Sequence, residues 1–178
     1  MPNDEEEFKR ESLRHAMFKE VLYGELFLAP IGPNTQKIVD LGTGFGDWAI
    51  EGMYMICPGH SFPVYSTDPS CEVGDAMPSA KITGIDLSPI QPVWLPPNVE
   101  FVVDDIEDEW TDASDFDYVH SRVVFSCLRD PHKVINTAFR LARLARFLDI
   151  TSADSTIQEP QTGWLDRVLR VSSCHRLR

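Results

Sequence analysis

Apolar and polar positions divide the chain into short buried-type runs and longer stretches of helical period. Ile38–Leu41, Lys81–Asp86, Val99–Val103, Phe116–Ser121 and Phe147–Thr151 are runs of four to six residues carrying β-branched or aromatic side chains. Glycine, proline or acidic residues flank most of them, which is the pattern of buried strands. Residues 4–22 read as a helix, with Leu13, Met17 and Val21 at i, i+4, i+8 beside Phe18 and Leu22. Such a stripe predicts packing against the rest of the domain. Asn3 with Glu6 reads as the N-cap and its reciprocal carboxylate, and Asp4–Glu7 places negative charge at the positive end of the helix dipole. Asp130-Pro131 opens a second helix, Val134–Leu144, whose Val134, Ile135, Ala138, Leu141 and Ala142 fall at helical spacing. Trp164–Val171 predicts a short last helix in an otherwise irregular tail over 152–178. Strands alternating with helices predict a three-layer α/β domain with a mostly parallel sheet of about five strands, its ligand edge at the strands' carboxyl ends.

Two stretches interrupt this rhythm. Gly52–Cys71 holds breakers at Gly52, Pro58, Gly59, Pro63 and Pro69, so the helix that starts at Asp47 is not expected to cross it. Asp86 lies 40 positions after Gly46 (86 − 46), and removing the 20 residues of 52–71 leaves 20, the usual distance from a glycine turn to the next acid in strand-turn-helix nucleotide sites. The segment therefore reads as an exposed loop inserted into the crossover. Leu87–Pro97 is proline-rich, which predicts a short, irregular second crossover.

Composition narrows the class. A chain of 178 residues with 43% hydrophobic content can bury one core, so one domain is expected. A net charge of −12 argues against direct nucleic-acid binding and against attraction to anionic membranes. Cys57, Cys71, Cys127 and Cys174 form no C-x-x-C pair, which points to reduced thiols in a cytoplasmic or nuclear protein, with neither a metal site nor a redox motif. No run approaches the roughly 18 apolar residues of a membrane span, so neither secretion nor membrane insertion is expected.

The chemistry gathers at Ile38–Gly46, I-V-D-L-G-T-G-F-G. A strand breaks into Gly42, Gly44 and Gly46 before a helix start, so a ligand can approach the backbone closely. The compressed G-x-G-x-G spacing differs from the dinucleotide fingerprint G-x-G-x-x-G. Asp40, two residues before the first glycine, would repel a pyrophosphate but suits a ligand with an ammonium and a sulfonium, such as S-adenosylmethionine. Asp86 ends the second strand, followed by Leu87, where a carboxylate can accept both hydroxyls of a ribose; a plain surface acid is the alternative. Asp105 could accept from an adenine amino group while Ile106 covers the ring, or Asp104–Glu109 is simply a solvated acidic run. The fourth strand delivers His120, Ser121 and Arg122 to the ligand edge. His120 is the titratable group of interest there, although a histidine at a strand end is more often structural.

Together these residues resemble class I S-adenosylmethionine-dependent methyltransferases, most closely the LaeA-like group of fungal methyltransferases. The resemblance runs from Asp4 to Thr151 and rests on L-Y-G-E-L-F-L-A-P-I (22–31), I-V-D-L-G-T-G-F-G-D-W-A-I (38–50), G-I-D-L-S-P-I-Q-P-V-W-L-P-P-N-V-E-F (84–101), D-D-I-E-D-E-W (104–110) and F-D-Y-V-H-S-R (116–122). It implies a Rossmann-like methyltransferase fold. It places Asp40, Gly42 and Gly44 at the methionine end of the cofactor, Asp86 at the ribose, Asp105 and Ile106 at the adenine, and His120 and Ser121 near the transferred methyl. The acceptor would be a small molecule or a protein, His120 the base if the acceptor needs one, and the setting secondary metabolism or its regulation.

The chain departs from the family in three places. Residues 52–71 have no counterpart, the family's L-K-P-G-G-W-L-E turn appears without its glycines in Leu141–Asp149, and the chain stops before the antiparallel hairpin of the sixth and seventh strands. From these departures Phe147–Thr151 is expected to be an open sheet edge, with weak cofactor binding and poor methylation. A non-catalytic fragment or partner-binding module is the alternative, and an NAD-dependent oxidoreductase a more distant one.

Overall fold

Each apolar run forms a strand. In the computed structural model, which describes residues 4–27, 29, 35–56, 80–110, 116–141, 147–152 and 168–173, these are β1 (Lys37–Leu41), β2 (Lys81–Asp86), β3 (Val99–Val103), β4 (Tyr118–Arg122) and β5 (Phe147–Ser152), joined by β6 (Val168–Ser173). They make one sheet in the order β3-β2-β1-β4-β5-β6. Every pairing among them is parallel. The helices are α1 (Glu5–Val21), α2 (Asp47–Ile56) and α3 (Pro131–Leu141), with a 3-10 turn at Val124–Cys127. Among the described residues no helix is long and apolar enough to cross a membrane.

Alternation along the strands sorts the core into two layers. Val39, Leu41 and Val119 pack with Val134, Ile135, Ala138 and Phe139 of α3. Ile38, Ile82, Val99 and Tyr118 face the other way, against Trp48 and Ala49 of α2 and Leu26. Asp40 and His120, one residue on from Val39 and Val119, therefore point to the α2 face. The pairing places them side by side, with Asp40 in register with His120.

Four expectations change. The cap of α1 is Asp4, one residue later than read, and its carboxylate accepts from the Glu7 amide at 2.8 Å. The α1 stripe does not pack inward: Leu13 is 72% exposed, Met17 51% and Val21 41%, and of the apolar α1 residues only Phe18 is buried. The periodic pattern was a sound sign of helix but not of its orientation, because the inward face is polar and is held by charged partners. Helix α2 runs on to Ile56, since Gly52 is the one breaker before Pro58 and a single glycine costs a helix only about 1 kcal/mol. The remainder of the inserted segment, from Cys57 on, lies outside the described residues. Finally, 168–173 is a strand where the last helix was predicted, and β6 covers the edge that β5 was expected to leave open. Val168, Leu169 and Val171 suit a strand once a neighbouring edge offers its backbone groups, and tertiary pairing outweighs the weak local helical pattern.

Candidate functional site

The carboxyl ends of β1 to β4 open onto a cavity of about 490 Å³, within the range of small-molecule sites. It is lined by Asp40, Gly42, Gly44, Asp86, Leu87, Asp105, Ile106 and His120, eight of the ten residues read from the sequence as cofactor-binding. The other two do not line it. Gly46 is buried under β3, where a Cβ would sit 2.3 Å from the Phe101 ring, so its positive φ of 88° and lack of a side chain serve packing. Ser121 is fully buried and its hydroxyl donates to the Leu41 carbonyl at 3.0 Å, bonding β4 to β1.

The turn is held by side chains arriving from the sheet. The Asp86 carboxylate accepts from the Gly44 amide at 2.9 Å with one oxygen and from the Ser88 amide at 3.0 Å with the other. Gln91 donates to the Gly44 carbonyl at 2.7 Å and to the Ser88 carbonyl at 2.9 Å, closing the second crossover against the turn. Gly44 itself has φ +59°, and nothing lies within 4 Å of where its Cβ would be. That vacancy faces the cavity, and it leaves backbone open to a ligand.

Asp40 is 2% exposed and its carboxylate is already engaged. Thr43 donates its hydroxyl to one oxygen at 2.7 Å, and Nδ1 of His120 lies 2.7 Å from the other. Gly84, in register with Asp40, provides the hollow for this arrangement, since a Cβ there would meet the Thr43 hydroxyl at 2.8 Å. The His120 ring lies flat on Trp48, with centroids 3.6 Å apart and planes 5° from parallel. Next to a carboxylate, Nδ1 carries the proton, so Nε2 is the nitrogen left to accept one. The acid of the glycine turn thus reaches a ligand through His120 and Thr43 more than by direct contact.

Sequence reasoning missed the fourth wall. Glu7, Arg10, Glu11, Arg14 and His15 of α1 all line the cavity. The helix is tethered by Ser12 donating to Asp47 at 3.2 Å, by His15 Nε2 at 2.6 Å from Glu51, and by Lys19 bonded to the same carboxylate. Arg122, at the end of β4, donates to His15 Nδ1 at 2.6 Å, and its guanidinium lies 5.1 Å from the Phe18 ring centroid. A guanidinium can only donate, so the imidazole accepts at Nδ1 and donates from Nε2 to Glu51. Burial pushes the Arg122 pKa below its ordinary value; Asp40, Asp47 and Glu11 oppose this and Arg14 adds to it. Burial also pushes the Glu51 carboxyl up, but the bonds and charges of His15 and Lys19 outweigh it and the net shift is downward. Val123, also on the cavity wall, holds a left-handed φ of 68°, an outlier for a β-branched residue that no sequence pattern announces.

The donor set fits an adenosyl amino acid. Asp86 has two lone-pair sites left for a vicinal diol after its two backbone bonds, Ile106 is a buried apolar face beside Asp105, and Gly44 has no side chain to keep a ligand off the turn. The sheet order β3-β2-β1-β4 sets Asp105, Asp86, Gly44 and His120 in a row along one edge.

Comparison with known proteins agrees with this geometry. The family described as "Methyltransferase domain" matches residues 11–170. Methyltransferase pytC of Aspergillus terreus is 36% identical over 186 aligned positions, covering 99% of this chain and 50% of its own length. Protein-methionine methyltransferase laeA of Emericella nidulans is 31% identical over 67% of this chain and 27% of its own. The chain thus spans about half the length, or less, of these relatives. Among solved structures, a chain of the Haloferax volcanii complex between the Trm112 methyltransferase activator and a methyltransferase superposes with a TM-score of 0.52 at 20% identity, covering 76% of this chain and 51% of that one, which is a likeness of fold. The glycine turn, the row of acids on the parallel sheet and the family match agree: the chain belongs to the class I S-adenosylmethionine-dependent methyltransferases, in their LaeA-like group.

Proposed function

We propose that the protein containing this chain transfers a methyl group from S-adenosylmethionine to a small-molecule or protein acceptor in secondary metabolism or its regulation. The observation that carries this reading is the single row of groups along the sheet edge, in the order adenine, ribose, amino acid and acceptor. The cofactor supplies a methyl group already activated on a sulfonium, so the residues have to hold, orient and exclude water. Asp105 and Ile106 grip the base, and Asp86 grips the sugar in the space that Gly44 leaves open. His120 is locked in ring orientation by Asp40 and Trp48, with the proton on Nδ1, and can take a proton at Nε2 from an acceptor that must lose one.

The buried state of His120, 2% exposed, also supports the second reading, a module that binds the cofactor without turnover. Titration calorimetry with S-adenosylmethionine, S-adenosylhomocysteine and NAD tests the cofactor. Selective binding of the first two is expected, and NAD binding alone would overturn the reading. Transfer of a radiolabelled methyl group over an acceptor panel then separates an enzyme from a binding module.

A further inference from the structure

The apolar stripe of α1 takes no part in the site described above. Lys9, Leu13, Met17 and Val21 recur every four residues, so they form one ridge along the helix, and all four are exposed. Tyr23, just past the helix, adds an aromatic ring that is 97% exposed. Single apolar residues scattered over a surface need no account, whereas three along one ridge with an aromatic at its end make a patch that a partner can cover.

Charge indicates what that partner is. The chain carries −12 overall, so two copies repel over most of their surface, but on this side of α1 Lys9 and Arg10 nearly balance Glu5, Glu6 and Glu20. Lys9 and Glu20 stand 11 residues apart (20 − 9), close to three helical turns, so they lie on one edge of the ridge with Leu13 and Met17 between them. Lys9 bridges to Glu5 in an exposed pair at 2.8 Å, and among the described residues Glu20 makes no ion pair. Turning the helix end for end about a two-fold axis between Arg14 and His15 sets Lys9 against Glu20 of the partner subunit, Glu20 against the partner's Lys9, and the apolar residues against their counterparts. We propose that the outer face of α1 is the interface of a two-fold dimer of this chain, with the two α1 helices packed antiparallel. A contact of that symmetry needs a strip complementary to itself, and the opposite charges at its two ends provide one. A helix of 17 residues is about 25 Å long, and two such helices meet over less than the roughly 1,200 Å² of a standard interface, so the dimer is weak and depends on concentration. The other side of α1 brings Glu11, Arg14 and His15 to the cavity, so a second copy seated outside braces that wall.

Sedimentation velocity on the full chain from about 1 to 200 μM, a range suited to weak association, is the test. The wild-type chain is expected to pass from one chain mass to two across that range, with amide hydrogen exchange slowing over Glu5–Val21 as it does so. Leu13→Glu, at an exposed position that leaves the core untouched, is expected to stay monomeric. Each charge pair occurs twice by symmetry, so Glu20→Lys, which faces lysine with lysine at both, is expected to raise the dissociation constant about tenfold. Lys9→Glu should do the same, and the double exchange Lys9→Glu with Glu20→Lys should return the constant to within about threefold of wild type. A wild-type chain that stays monomeric at the highest concentration overturns the proposal and leaves the strip to a different protein. Dimerisation that survives Leu13→Glu places the interface elsewhere, and single reversals that the double exchange fails to rescue refute the antiparallel register; either result also overturns it.

Discussion

Replacing Asp86 by Asn tests the hub of the site with a change of one atom. The carboxylate accepts the Gly44 amide with one oxygen and the Ser88 amide with the other, at 2.9 and 3.0 Å. An amide offers one oxygen and one NH2, so in either orientation one backbone N–H faces a donor and the other keeps an uncharged acceptor. Losing one charge-assisted bond and weakening a second, in a partly buried setting, is expected to cost about 1.5–3 kcal/mol. For a domain of this size each kcal/mol lowers Tm by roughly 2–4 °C, so thermal unfolding followed by circular dichroism should show a fall of about 3–12 °C. Ligand binding should suffer separately. The carboxylate has two lone-pair sites free for a diol and the amide oxygen only one, so affinity for S-adenosylhomocysteine should drop about tenfold or more. A variant with unchanged Tm and unchanged affinity would show that Asp86 holds neither the turn nor the ligand.

Three further outcomes follow from the same geometry. Gly44→Ala and Gly46→Ala should separate binding from folding: the first is expected to stay folded, with about 1 kcal/mol of strain at φ +59° and weakened ligand affinity, while the second should unfold or melt far lower, because its methyl group would overlap the Phe101 ring. Glu51 has a carboxyl held below its ordinary value of 4.5, so its contribution is complete above that pH and is lost as pH falls through the lower, folded value; the stability gap between wild type and Glu51→Gln in urea titrations should be constant near neutrality and close as pH is taken down through that folded value. Excising 57–71, which leaves the α2 helix whole, should preserve cofactor affinity by calorimetry if the segment is an insertion, and a chain that no longer binds would show that it is part of the domain.

The runs that became β1 to β5 were legible because each is a short stretch carrying β-branched or aromatic side chains, most of them bounded by glycine, proline or acidic residues. The lining of the cavity was legible wherever a residue type is tied to backbone shape, as at Gly42 and Gly44, or to a strand end, as at Asp86 and Asp105. Contacts across the sheet were not. Nothing along the chain says that Asp40 will stand beside His120, that Gly84 leaves room for the Thr43 hydroxyl, or that His15 will meet Arg122 107 positions away. The α1 helix was read with its apolar stripe inward because period reports amphipathicity and not which side is covered, and 168–173 was read as helix because its partner strand is not local.

The manner in which α1 is attached sets how it responds to temperature. Exposing apolar surface raises heat capacity and exposing polar surface lowers it, so detaching a helix that is held by Ser12, His15 and Lys19 as well as by Phe18 and the edge-on contact of Phe8 with Phe45 brings two opposing contributions. Its net heat-capacity change should lie near zero, unlike that of the core. The core is most stable at some intermediate temperature and weakens on either side, whereas the hold on α1 tightens steadily on cooling. Cold should close the wall of the cavity and warmth open it, well below the temperature at which the sheet gives way.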